Sequence, residues 1–167
     1  MRKRVGRAAA FGVLVTLIAP PGWAATADAD QPIHIRADAA ELDEARGMVI
    51  YRGSVRLDQG TLKVTADTMT IELEDERVIR VTAEGRRAHY EQRLAEERPE
   101  VMADADTIVY HTQDERIELR GNARLSQEPN EFSGEIINYD IRAGRVDATA
   151  TESGGVRMTL QPARANP

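Results

Sequence analysis

The sequence predicts an all-β protein whose strands are built on an internal repeat. Apolar and polar residues alternate with a period of two in most segments after residue 30, which is typical of strands with one buried and one solvated face. Glycine-containing turn signals separate these segments. The chain has 167 residues, which allows one domain of this kind and excludes two large ones.

The N-terminal residues predict a secretory signal peptide. Four basic residues precede an apolar run over residues 8–19, and small residues follow a pair of prolines, which places cleavage after Ala24 or Ala27. The run is shorter than the roughly 20 residues that span a bilayer. The predicted organisation is a signal peptide at 1–24, a single β domain at 25–160 and a flexible tail at 161–167.

Charge and cysteine content exclude several classes of function. Removing residues 1–24 takes away four bases and no acids, so the mature chain would carry 18 bases, 28 acids and a net charge of −10. Such an acidic protein lacks the basic face that binds a nucleic-acid backbone. The absence of cysteine excludes disulfides, Cys-based zinc sites and a Cys nucleophile. An exported, cysteine-free chain of this kind is expected in a bacterial periplasm.

The alternation also predicts which side chains point inward. Apolar residues of one parity in their strands should line the interior: Ile33, Ile35, Val55, Leu57, Leu62, Val64, Met69, Ile71, Tyr110, Ile117, Leu119 and Phe132. The first and last alternating segments should lie at opposite ends of the stacked strands and leave two free edges. Those edges would carry Ile33, Ile35, Val156, Met158 and Leu160.

An internal repeat appears when the chain is shifted by 68 positions without a gap. Residues 53–57 then fall on residues 121–125, and residues 64–71 fall on residues 132–139. Within each half, a small residue followed by an acid recurs 29 positions apart. The acids of these pairs are Asp38, Asp67, Asp106 and Glu135. We interpret them as turns that lead into strands, and Gly53 and Gly121 as equivalent turns with positive φ, in stacked β units that share one core.

Motifs of enzyme and metal chemistry are missing. His34, His89 and His111 each stand in a strand-like segment without a second His at ligand spacing. There is no nucleophile elbow and no glycine-rich phosphate loop. Alternation would spread the acids at 38–44 over two faces of a strand, unlike a calcium loop. We therefore expect no enzyme activity, no metal site and no cofactor.

Several short segments together resemble the OstA family of periplasmic lipopolysaccharide-transport proteins. Their order and spacing, from about residue 31 to about residue 160, carry the resemblance. The segments are Gln-Pro-Ile-His-Ile at 31–35, Ala-Asp at 37–38 and 66–67, Gly-Ser-Val at 53–55, Gln-Gly-Thr-Leu-Lys-Val at 59–64, His-Tyr at 89–90 and Gly-Asn-Ala at 121–123.

The resemblance implies an antiparallel β-jellyroll that forms an open, V-shaped β-sandwich. It implies lipopolysaccharide as the ligand, with the lipid A acyl chains cradled in an apolar groove between two sheets. The inward residues named above would line this groove together with His89, which makes it more polar because the family often has an aromatic residue there. The resemblance also implies head-to-tail self-association, and edge-strand pairing with inner-membrane and outer-membrane transport components.

A second hypothesis shares this fold. The chain could be an exported β-repeat interaction or scaffold module that carries no lipid. Because both hypotheses predict the same strands, only a measurement of lipid binding inside the domain separates them.

Overall fold

The computed structural model describes residues 27–94, 99–150 and 155–160. A short 3₁₀ helix, Ala27–Asp30, precedes ten strands, and every pairing between strands is antiparallel. The strands are β1 (His34–Arg36), β2 (Ala39–Asp43), β3 (Met48–Gln59), β4 (Leu62–Glu74), β5 (Arg77–Gln92), β6 (Val101–His111), β7 (Arg116–Gln127), β8 (Asn130–Asp140), β9 (Arg145–Thr149) and β10 (Arg157–Thr159).

Six long strands, β3 to β8, pair in sequence order as a meander. At one end of the meander, β1 and β2 both pair with β3, along different parts of its length. At the other end, β9 and β10 both pair with β8 in the same manner. Each edge of the sheet therefore consists of two short strands that pair with the same long strand.

A line of β-bulges crosses the middle of the long strands. The register shifts between Arg52 and Val55 in β3, and corresponding shifts follow in each of the next four pairings. Bulges bend the strands that contain them. The sheet is thereby folded over into a first layer, which contains β1 and β10, and a second layer, which contains β2 and β9.

Rows of apolar side chains cross the whole sheet by direct pairing, and their central members form one core cluster. Each row begins on one edge strand and ends on the other. In the first layer the row is Ile35, Leu57, Val64, Tyr90, Ala103, Leu125, Phe132 and Met158. In the second layer one row is Leu42, Val49, Ile71, Val81, Tyr110, Ile117, Tyr139 and Val146.

The bulges give a physical account of the sequence repeat and correct one part of its interpretation. Gly53 and Gly121 do have positive φ, at 81° and 75°, but they lie inside β3 and β7 and not in turns between strands. Asp67 and Asp106 likewise lie inside strands. The small residue before each of these acids is buried, as Ala66 and Ala105 are, while the acid points outward. Asp38 does stand in the turn that leads into β2, whereas the other three acids of the repeat lie inside strands, where the strands bend.

Candidate functional site: an apolar groove between the layers

A groove of about 270 Å³ opens between the two layers near the β1 end of the sheet. The first layer contributes Leu57 and Leu62 to its wall, and the second contributes Val78, Val81 and Tyr110. A small recess of about 20 Å³ shares part of the groove's lining. Almost all of the side chains around the recess are apolar: Leu57, Leu62, Val64, Val81, Ala83, Tyr90, Ile108 and Tyr110. The walls can bury apolar surface but present few directional partners.

The rim of the groove is polar. Asp28, Gln59 and Gln92 stand on the side of the first layer, and Thr112 and Glu115 stand on the side of the second. The Tyr110 side chain reaches into the groove from the second layer, and its burial raises the pKa of the phenol above its usual value. An amphipathic ligand would therefore meet apolar walls inside and polar groups at the opening.

The predicted interior residues occupy three different places. Leu57, Leu62, Val64 and Tyr110 contact the groove or its recess. Ile35 and Phe132 pack partly buried against the core. The others of that parity are enclosed in the core, with at most 5% of their surface exposed: Val55, Met69, Ile71, Ile117 and Leu119. Their inward direction agrees with the alternation, but they form the packed base of the sandwich and do not line the open groove.

Two predicted groove residues lie elsewhere. Ile33 reaches the rim of the groove but is 43% exposed, because it lies before the edge strand β1 and has no strand beyond it in the described chain. His89 lies on the outer face of β5, since its neighbours Ala88 and Tyr90 are the buried residues. The His89 Nδ1 atom lies 3.0 Å from Asp104 Oδ1, within a solvated cross-strand pair. The expectation that His89 makes the groove more polar was wrong.

Asp28 is a site residue that the sequence analysis missed. It is only 7% exposed and lies in the 3₁₀ helix, immediately after the predicted cleavage sites. Its carboxylate accepts hydrogen bonds from the Thr61 backbone N–H at 2.7 Å, the Thr61 hydroxyl at 2.6 Å and Gln92 Nε2 at 2.9 Å. Burial alone would raise the pKa of Asp28, but the hydrogen bonds from Thr61 and Gln92 outweigh it and hold that pKa below its usual range.

Exposed large apolar side chains are concentrated at the two edges of the sheet. Of six such residues in the described part of the chain, five lie on or beside edge strands: Ile33, Leu42, Val156, Met158 and Leu160. These include four of the five predicted edge residues, and the fifth, Ile35, is partly buried. Within the described residues, β1 pairs only with β3 and β10 pairs only with β8. Both ends of the apolar interior are thus open to solvent.

Two negative findings apply to residues 27–94, 99–150 and 155–160. No helix there is long and apolar enough to cross a membrane. No group of three or more His, Asp or Glu side chains in those residues is arranged to hold a metal ion. The predicted signal peptide at 1–24 and the predicted tail at 161–167 lie outside the described residues.

A folded-over antiparallel sheet with an apolar groove and exposed apolar residues at its edges is typical of a protein that binds an apolar ligand or partner. The model of one protein family matches residues 34–145, and it is described as LptA/(LptD N-terminal domain) LPS transport protein. The chain belongs to this family of lipopolysaccharide-transport proteins. The family confirms the predicted resemblance, the open antiparallel jellyroll fold and a role in transport without catalysis.

Individual relatives agree with this assignment. The chain is 36% identical over 160 residues to the lipopolysaccharide export system protein LptH of Pseudomonas aeruginosa, covering 91% of each chain. It is 29% identical over 147 residues to LptA of Escherichia coli K12, covering 86% of this chain and 78% of LptA. The crystal structure of Pseudomonas LptH superposes with a TM-score of 0.73, covering 81% of this chain and 99% of that one. That LptH is described as a periplasmic component of a lipopolysaccharide transport device.

Proposed function

We propose that this chain is a periplasmic bridge element that carries lipopolysaccharide by holding its lipid A acyl chains between the two layers. The observation that carries the proposal is the run of apolar rows from one edge strand to the other, with exposed apolar residues at both ends. Acyl chains need only apolar surface, which contributes about 25 cal/mol for each Å² buried. The polar rim at Gln59, Gln92 and Thr112 suits the sugar part of such an amphipathic ligand.

The edges support end-to-end assembly of copies. Strand β10 is antiparallel to β8, and β1 is antiparallel to β3, so β10 of one copy and β1 of the next would again be antiparallel. This contact joins two different surfaces and does not close, so it generates a filament. Continuing the rows without a shift brings Met158 of one copy opposite Ile35 of the next, and Val146 opposite Leu42. The apolar interior would then continue across the joint.

The same edges are the proposed contacts with the other transport components. An inner-membrane component and an outer-membrane component of related fold would each add a strand to one edge. The chain would reach them in the periplasm after cleavage of its signal peptide. The exposed apolar residues beside β1 and β10 would be covered in either kind of joint.

Photo-crosslinking to lipopolysaccharide tests the carrier function. Val81 lines both the groove and the recess, while its neighbour Thr82 points to the outer face of β5. A photoreactive residue at position 81 should capture lipopolysaccharide, and the same residue at position 82 should not. Equal labelling at both positions, or none at either, would contradict a groove carrier and favour a scaffold module without lipid cargo.

A further inference from the structure

We propose that Asp28 is a latch that holds the docking edge of the sheet in place, so that β1 stays on β3 with its outer side presented to another copy. The proposal rests on the proposed end-to-end assembly. Strand β1 has only three paired residues, and two of them are exposed. Such a short edge strand is weakly held by its own ladder of hydrogen bonds.

The latch connects three separate parts of the first layer. Asp28 lies in the 3₁₀ helix, Thr61 lies in the turn between β3 and β4, and Gln92 lies at the end of β5. Gln92 in turn accepts a hydrogen bond from the buried Tyr90 hydroxyl. The buried Tyr90 therefore positions the Gln92 side chain, and Gln92 in turn donates to the Asp28 carboxylate.

Two further hydrogen bonds, both made by the Gln31 backbone, hold the segment between Asp28 and β1. Directly after the 3₁₀ helix, the Gln31 backbone N–H donates to the Asp28 carbonyl at 3.0 Å. The Gln59 Nε2 group, at the end of β3, donates to the Gln31 carbonyl at 3.0 Å. Only Pro32 and Ile33 separate Gln31 from β1. The backbone is thus anchored at Asp28 and at Gln31, just before it enters the edge strand.

The turn between β3 and β4 is shaped to receive this carboxylate. Gly60 has a φ of 59°, and a Cβ placed on it would lie 2.1 Å from Asp28 Oδ1. Only a glycine leaves room for the carboxylate to reach the Thr61 N–H. An amide at position 28 keeps only one acceptor oxygen, so its NH₂ group would face either the Thr61 N–H or the Gln92 NH₂ group, and both of these are donors.

The test compares Asp28→Asn with Asp30→Asn, which removes the same charge from an exposed residue of the same 3₁₀ helix. Amide hydrogen exchange of residues 34–36 is measured in dilute protein, and self-association is measured by light scattering across a concentration series. Asp28→Asn should speed exchange in β1 by at least about tenfold and weaken association, with exchange in β7 and β8 unchanged. Asp30→Asn should change neither quantity.

A second pair of variants tests whether the hydrogen bond from the Thr61 hydroxyl to Asp28, and not a general loss of folding, controls exchange in β1. Thr61→Val removes the hydroxyl that donates to Asp28 and accepts from the Arg93 backbone N–H, so it should change β1 exchange in the same direction as Asp28→Asn, whereas Thr61→Ser keeps the hydroxyl and should behave as the unmodified chain. Unchanged exchange of β1 in Asp28→Asn overturns the latch, and so does faster exchange with unchanged association. A failure of the unmodified chain to associate contradicts end-to-end assembly instead, and exchange in β1 alone then decides whether Asp28 holds the strand.

Discussion

The carboxylate of Asp106 in β6 packs directly against the backbone of Gly121 in β7. A Cβ on Gly121 would lie 2.5 Å from Asp106 Oδ2, and the Asn122 side chain donates to that same oxygen at 2.8 Å. The same relationship joins Asp38 to Gly53 and Asp67 to Gly85. These pairs follow the line of bulges, so each marks a place where the sheet folds over to create its two layers.

Replacing Gly121 with Ala should destabilise the domain by about 2–3 kcal/mol. The new Cβ would be strained by the positive φ and would also displace the Asp106 carboxylate. Gly144 is the matched control, because it has a similar φ of 63° but no atom within 4 Å of the added Cβ. Gly144→Ala should therefore cost only about 1 kcal/mol. Urea unfolding measures both, and equal losses would show that the contact with Asp106 is unimportant.

The Asp106 contact can be isolated by a double variant. Asp106→Ala should relieve the overlap at Gly121→Ala, so that the combined loss of stability is smaller than the sum of the two single losses. Additive losses would mean that only the backbone conformation at Gly121 matters.

Paired cysteines should trap the proposed joint between copies. The chain has no cysteine of its own, so Met158→Cys combined with Ile35→Cys gives a clean test. The two positions lie on opposite edge strands, and oxidation should link associated copies into a ladder of oligomers on non-reducing gels. Met158→Cys with His34→Cys is the control, since adjacent residues of β1 point to opposite faces. A ladder from the control alone would show that the register of the joint is wrong.

Removing the chain from Val156 onward should abolish end-to-end association while leaving a folded monomer. The deletion takes away β10, whose three residues are exposed, and leaves the buried core in place. Light scattering across a concentration series compares this variant with the intact chain, and circular dichroism checks the fold. Undiminished association of the truncated chain would rule out β10 as the docking strand.

The stability supplied by Asp28 should depend on pH in one direction. Its pKa in the folded chain is lowered by hydrogen bonds from Thr61 and Gln92, from an ordinary value of about 3.9. A lowered folded-state pKa means that the stabilisation is complete above about pH 3.9 and is lost as the pH falls through the lower value. Asp28→Asn should therefore cost about 2 kcal/mol at pH 7, and this cost should fall as the pH is lowered through the folded-state pKa of Asp28. A cost that is constant with pH would show that the charge of Asp28 is not involved.

The sequence by itself determined the strands and most of the inward faces. Period-two alternation survives in the structure at Val55, Leu57, Leu62 and Val64, which are all buried, because a pleated strand sends successive side chains to opposite faces. The prediction failed at His89, which the family resemblance placed in the groove but which lies on the outer face. The alternation of its own strand agrees with the outer position, because Ala88 and Tyr90 on either side of His89 are the buried residues.

Only the tertiary structure decided where the groove opens and which residues form its rim. Met69 and Leu57 have the same pattern in sequence and are both buried, yet Leu57 lines the groove and Met69 does not. Asp28 and Gln92 are 64 positions apart and meet only because β5 ends beside the N-terminal 3₁₀ helix. Local patterns specify the face of a residue, whereas contacts between distant segments depend on how the whole sheet folds over.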